Sequence, residues 1–320
     1  MKGLTDIPGI RVGHASDYEG ITGCTAILCE QGAVAGVDVR GSASGTEELE
    51  VLSPLHVTSH IHAVVLAGGS AFGLEAASGV RRYLEAKGVG FDVGVTKVPL
   101  VPSAILFDLG IGKASARPTR EMGEAAAAAA ASDGPVKEGN VGAGTGATVG
   151  KIRGMKNAMK GGVGTYTVEL GGARVSALAA VNAFGDIRDP ETGAIVAGAR
   201  QEGGFADTVK AMKAGARGGF ATRSNTTLVV VATDARLTKP QAAKLAQFGQ
   251  QGVVRTLSPA NTMSDGDTVF ALSVGAAEAN INTLGVAAAE AVAKAIVRAV
   301  RAAETLGGVP GLASVGQDRK

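Results

Sequence analysis

Apolar and polar positions change period along the chain, and those changes mark its elements. Ile61–Ala67 (IHAVVLA) is an unbroken apolar run, read as a strand, that stops at Gly68-Gly69. Beyond the glycines, Leu74, Ala77, Val80 and Leu84 recur at helical spacing, so the unit reads strand, glycine turn, helix. The same pattern predicts strands over 33–39, 166–170, 175–181, 227–233 and 268–274, the second and third joined by Gly171-Gly172 as a hairpin. Helices are expected over 120–131, 206–214, 240–248 and 283–306. In the last, Glu290, Lys294 and Arg298 fall at successive i,i+4 positions and make one polar stripe on an Ala/Val-rich cylinder. Strands and helices intermingle without a strict βαβ rhythm. That favours mixed sheets flanked by helices, an α/β (α+β) chain forming one domain over 1–320. Two polar or glycine-rich zones interrupt it, 131–135 and 215–224.

Composition narrows the partners. Of 320 residues 48 are Gly, against an ordinary share of roughly 7%, which suits a turn-rich, tightly packed chain. With 8 Phe, 3 Tyr and no Trp there is no stacking surface for single strands, and a net charge of +2 gathers no polyanion. Nucleic acid and membrane drop out as expected partners. Met1 to Asp6 lacks the apolar run of a secretory signal, so a soluble cytoplasmic protein is expected. Cys24 and Cys29 stand at an odd offset on one extended segment, pointing to opposite faces, which suits two buried thiols rather than a disulfide or zinc pair.

Several motifs offer chemistry and fall short of it. Gly142-Ala143-Gly144-Thr145-Gly146-Ala147 satisfies the permissive dinucleotide pattern, but no apolar strand precedes it, so no cofactor is expected. Gly68-Gly69-Ser70-Ala71-Phe72 lacks the second glycine of a nucleophile elbow, which leaves Ser70 as a helix cap. His56, His60 and His62 have metal-like spacing without the H-E-x-x-H glutamate, and no metal is expected there. What remains is Thr226-Thr227, opening a strand after the glycine-rich loop, and Asp265-Gly266-Asp267, opening the next strand after one helix. Carboxylates two residues apart on an extended segment share a side and can serve one hydroxyl; a plain turn is the alternative.

Five stretches carry a family resemblance: 5–14 (TDIPGIRVGH), 66–74 (LAGGSAFGL), 139–146 (GNVGAGTG), 181–186 (VNAFGD) and 225–234 (NTTLVVVATD). Together, over nearly the whole chain, they resemble the DmpA-type self-cleaving aminopeptidases of the ornithine-acetyltransferase-like superfamily. Where the aminopeptidases proper carry Gly-Ser at the cleavage site, Asn225-Thr226 is similar to the 6-aminohexanoate-oligomer endohydrolase branch, as are Lys151, Asp265 and Asp267. The resemblance implies a four-layer αββα sandwich of the N-terminal-nucleophile hydrolase type. It also implies scission before Thr226 into a 1–225 α chain and a 226–320 β chain, and a homotetramer of α/β heterodimers.

Roles follow from that resemblance residue by residue. Thr226 is the nucleophile, and scission gives it an α-amine with a pKa of about 7.7–8.0 that serves as base. Asp265 and Asp267 orient the ammonium and hydroxyl, or hold a substrate amine. Asn182 donates its side-chain N–H to the oxyanion, with a backbone N–H of the Gly142, Ala143, Gly144, Thr145 loop as a second donor. Lys151 stabilises the oxyanion or lowers the pKa of the α-amine. The expected substrate is a linear aliphatic amide such as a 6-aminohexanoate oligomer, with release of N-terminal amino acids from peptides and amides as the alternative. A non-catalytic binding protein and an acetyl transferase are rivals from other classes.

Overall fold

The structure, a computed structural model, describes residues 3–130, 134–216 and 225–315. Most of the two linker zones, 131–133 and 217–224, lies outside the described residues. Nine strands form two stacked sheets that share one long strand. They are β1 (Arg11–Asp17), β2 (Thr22–Val39), β3 (Thr46–Glu47), β4 (Ile61–Ala67), β5 (Ser103–Ile105), β6 (Gly162–Leu170), β7 (Ala173–Asn182), β8 (Thr226–Ala235) and β9 (Thr268–Ala277). The order is β6-β7-β8-β9-β2-β4-β5-β3, with β1 beside β2.

β2 makes the sandwich. Its first half pairs with β1 and β4, and its second half pairs antiparallel with β9. The register against β4 breaks between Leu28 and Ala33, where Gly32 has φ +91°. A left-handed residue at a bulge bends a strand, and glycine takes that conformation without a Cβ clash. One strand therefore leaves the first sheet and enters the second.

Period-two alternation then fills three interfaces. On β4, Ala63, Val65 and Ala67 face α1 (Glu75–Ala86) and α2 (Arg120–Ala129), while Val64 and Leu66 face the other sheet. On β8, Leu228, Val230 and Ala232 meet Val64 and Leu66 between the sheets. Val229 and Val231 lie under α4 (Lys239–Thr256) and α5 (Ile281–Arg301). The layers run helices, sheet, sheet, helices: the αββα sandwich. Strands buried on both faces need apolar residues at every position, which is why 61–67 and 227–233 show no polar alternation.

Element boundaries moved where packing overrode local signals. The predicted strand 33–39 is the end of an 18-residue strand. Helix 240–248 continues to Thr256 through Gly249 and Gly252. A Cβ at Gly249 would meet Val269 Cγ1 at 2.8 Å, and one at Gly252 would crowd Ala289 O and Val292. Those glycines let α4 lie close on β9 and α5, and that burial outweighs their roughly 1 kcal/mol propensity cost. Its start is set locally by a Thr238–Gln241 capping box with Pro240 in the first turn. The predicted helix 206–214 shortens to α3 (Thr208–Lys213), capped by Asp207. On α5 the polar stripe pairs outward, Lys294 with Glu191 and Arg298 with Glu138. Among the described residues no helix is long and apolar enough to cross a membrane.

Candidate active site

α4 connects β8 to β9 in parallel, so both strands begin at the same end of their sheet. Antiparallel β7 brings its last residue there too, with Asn182 directly opposite Thr226. A parallel bridge joins Asn225 to Asp265 just before the two strands start. Thr226, Asn182 and the Asp265-Gly266-Asp267 segment are thus one cluster, and Lys151 joins it through its side chain. All five candidate side chains are at most 3% exposed.

The peptide bond before Thr226 is held between two hydrogen-bond donors. Thr226 Oγ1 lies 2.5 Å from the Asn225 carbonyl oxygen, and Gly266 N donates to that same oxygen at 2.7 Å. Asn225 N in turn donates to Ser264 O. The approach is tight, because a Cβ at Gly266 would stand 2.7 Å from Thr226 Oγ1 and 2.9 Å from Ala43 O. Only glycine fits there.

The two carboxylates do other work than the spacing suggested. Neither accepts from the Thr226 hydroxyl, which turns to its own preceding carbonyl. Asp267 accepts from Thr227 N at 2.7 Å and Asn261 N at 2.9 Å. Asp265 accepts from Thr262 N and Thr262 Oγ1 on Oδ2, at 2.8 and 2.6 Å. Desolvation raises both, Asp267 to about 7 with the Asp265 charge as the second cause. The pair fixes the chain around Thr226.

Lys151 Nζ donates to Asn182 Oδ1 at 2.9 Å and to Asn182 O at 3.1 Å. Burial pulls its ammonium down to about 7, the Asp265 charge opposing. Asn182 Oδ1 also accepts from Thr148 N at 3.0 Å, and its Nδ2 donates to Phe107 O at 2.9 Å. That network fixes the amide orientation and leaves one Nδ2–H of the two uncommitted.

The sequence profile of peptidase family S58 matches residues 2–313. The chain belongs to this family. It is 40% identical to an uncharacterized aminopeptidase of Mycobacterium tuberculosis, covering 97% of this chain and 96% of that protein. It is 30% identical to a 6-aminohexanoate-oligomer endohydrolase of a Kocuria species, over 92% of this chain and 85% of the other. Among solved structures it superposes on a Burkholderia β-aminopeptidase with a TM-score of 0.71, at 25% identity over 97% and 90% of the two chains. The L-aminopeptidase D-Ala-esterase/amidase of Ochrobactrum anthropi, a variant of the Ntn-hydrolase fold, matches with a TM-score of 0.72 at 22% identity, covering 97% and 88%. The chain is accordingly a hydrolase of peptide or amide bonds on an Ntn-hydrolase sandwich.

Other candidates from the sequence sit differently. The amides of Gly142, Ala143, Gly144 and Thr145 are spent inside the protein, on Ser16 Oγ, Thr25 Oγ1, Val141 O and Gly142 O. The backbone N–H that meets the Asn225 carbonyl is that of Gly266, which no motif announced because its place depends on strand register. Ser70 does not cap: it opens the turn Ser70–Leu74 at φ +53°, and its N–H goes to Leu106 O. His56 lies on a bend and His60 just before β4, with Nδ1 bonded to Thr58 Oγ1 and Ser59 Oγ respectively. His62 accepts from Leu100 N. His14 faces Thr25, held at about 4 by burial. Cys24 and Cys29 are buried on opposite faces of β2, and burial raises both thiols, Cys24 to about 12.

Proposed function

We propose that the chain cleaves itself between Asn225 and Thr226 and then acts as a threonine amidohydrolase on linear aliphatic amides. The observation that carries this reading is the Thr226 hydroxyl against the Asn225 carbonyl, with the Gly266 N–H already on the carbonyl oxygen. In the first step Oγ1 adds to the Asn225 carbonyl carbon and gives up its proton to Lys151, part of which is a neutral amine at pH 7. Negative charge gathers on the carbonyl oxygen, where Gly266 N–H and the spare Asn182 Nδ2–H stabilise it. The carbon–nitrogen bond then breaks as the nitrogen takes a proton, leaving an ester between Asn225 and Thr226. Water hydrolyses the ester to a free Asn225 carboxylate and a free Thr226 α-amine.

Turnover reuses the same atoms. The α-amine, with a pKa of about 7.7–8.0, takes the hydroxyl proton, and the substrate carbonyl occupies the place vacated by Asn225. Purified wild-type protein should separate on a denaturing gel into 1–225 and 226–320, and Thr226→Ala should stay whole. An active wild-type protein showing only the full-length mass would end the proposal. It would leave the non-catalytic or acetyl-transfer alternatives, the latter distinguished by dependence on an acetyl donor.

Two observations bear on the substrate. Asp267 accepts a backbone N–H on each oxygen and Asp265 takes both Thr262 bonds on Oδ2, so the pair is partly committed to holding the chain rather than a substrate ammonium, which supports internal cleavage of oligoamides such as 6-aminohexanoate oligomers. Against it, the mycobacterial relatives and the Burkholderia neighbour carry aminopeptidase names, which supports release of N-terminal residues. A cyclic 6-aminohexanoate oligomer has no terminus, so its cleavage requires endo action. Rapid turnover of alanine amide or a β-alanyl peptide, with cyclic and linear oligomers untouched, would establish the aminopeptidase. The working assembly in this reading is a cytoplasmic homotetramer of α/β heterodimers, checked by light scattering on the cleaved protein.

A further inference from the structure

Behind the site lies a second pair of buried charged residues that the proposed chemistry does not use. Asp108 is 4% exposed and Lys160 1%. Asp108 follows β5, and its carboxylate accepts from Thr22 Oγ1 at 2.7 Å and from Gly69 N at 2.6 Å. Lys160 Nζ donates to Thr145 O at 2.8 Å and to Ala147 O at 2.6 Å. Gly146, between those two carbonyls, packs on Asp108, since a Cβ there would stand 2.6 Å from Asp108 Oδ2. The two charges also act on each other through space, Asp108 favouring the ammonium and Lys160 the carboxylate.

Each member of the pair pins a segment whose next residue holds one end of the Asn182 amide. Phe107, preceding Asp108, gives its carbonyl to Asn182 Nδ2. Thr148, following Ala147, gives its N–H to Asn182 Oδ1. We infer that Asp108 and Lys160 are positioning residues that clamp these two segments and so fix the Asn182 side chain opposite Thr226.

The physical reasons are specific. An amide held at both ends by buried partners has one orientation, and its free N–H then points one way. Burying an amine is costly unless its donors are satisfied, and Lys160 spends two of them on the carbonyls flanking Gly146. An amine and an ammonium both supply two N–H donors, so the clamp holds in either protonation state. Neither Asp108 nor Lys160 hydrogen-bonds to Thr226, Asn182 or Lys151. Through space Lys160 lowers and Asp108 raises the Lys151 pKa, and the Asn182→Ala background separates that route from the one through Asn182.

This inference rests on the role given to Asn182 in the proposed function, and the test separates the two. Lys160→Met and Asp108→Asn are made in the full chain, alone and with Asn182→Ala. Self-cleavage and kcat and KM on an amide substrate are measured per cleaved chain. Each single variant is expected to lower kcat at least ten-fold with KM within about three-fold, a misplacement effect. In the Asn182→Ala background the same changes should add less than two-fold, because the group they position is gone. Multiplicative losses, or a folded Lys160→Met with wild-type kcat, would overturn the inference, and Asp108→Asn carries the same reading if Lys160→Met does not fold. The proposed function fails separately if the wild-type chain neither cleaves nor hydrolyses amides. The clamp is then read in Thr226→Ala by the Asn182 side-chain amide signals in NMR. Hydrogen-exchange protection there should drop at least ten-fold on Lys160→Met, and unchanged protection would overturn the clamp.

Discussion

Adding one methyl group at Gly266 tests the arrangement around the Asn225–Thr226 bond, proposed as the scissile one, most directly. The Cβ of Gly266→Ala would stand 2.7 Å from Thr226 Oγ1 and 2.9 Å from Ala43 O. Carbon–oxygen contacts settle at about 3.3 Å or more, so about 0.6 Å of displacement must be found. Thr226 cannot supply it by rotation, because a β-branched side chain at the head of a buried strand is stiff at χ1. Gly266 must therefore retreat, and its N–H retreats from the Asn225 oxygen that it now meets at 2.7 Å. Misplacement by about 1 Å costs on the order of 10²-fold, and loss of an oxyanion donor costs about 10²–10³-fold. Self-cleavage of Gly266→Ala is expected to slow by about 10²-fold, followed by mass spectrometry on freshly purified chain. Overpacking should cost about 1–3 kcal/mol of stability, so the protein still folds. A folded Gly266→Ala that cleaves at the wild-type rate would refute both the oxyanion role of its N–H and the need for close approach.

Three further outcomes are expected. For cleaved enzyme, kcat/KM rises with pH through a free-enzyme pKa at or below about 7.7–8.0, and Lys151→Met, measured per cleaved chain, moves that limb upward only by the share of Lys151, held at about 7, that is still ammonium there; an unmoved limb with an unchanged rate would leave Lys151 a structural role only. In uncleaved Thr226→Ala, Lys151 and Lys160 are held at about 7 against an ordinary 10.5, so between these values the unfolded chain binds more protons and stability rises with pH. Its Tm should climb from pH 7 to pH 9, and less so with Lys160→Met added; a flat Tm would contradict the buried-amine reading. Finally, Gly164→Ala drives a methyl group into Ala295 O on α5 and should cost about 1–3 kcal/mol, seen as a lower urea midpoint; an unchanged midpoint would show that α5 yields there.

Elements whose signals are local could be read from the residues alone. Val65 or Val230 is apolar whichever layer it meets, so both-face-buried strands such as Ile61–Ala67 and Thr226–Ala235 were legible as runs. Thr226, Asp265 and Asp267 stood out by position and spacing, Lys151 and Asn182 only through family resemblance, and the fold gathers all five at one sheet end. What the acidic pair does there was not legible. Two carboxylates on one side of a strand look available to a hydroxyl, and only tertiary contacts decided that backbone N–H groups reach them first. The extension of α4 through Gly249 and Gly252 was not legible, because propensity is a property of the residue, whereas the close approach of β9 and α5 that rewards those glycines belongs to the packed chain. The Gly266 N–H, the Asp108–Lys160 pair and the passage of β2 between sheets left no motif. Each depends on residues tens or hundreds of positions apart meeting at hydrogen-bond distance, and strand register and layer stacking set that meeting.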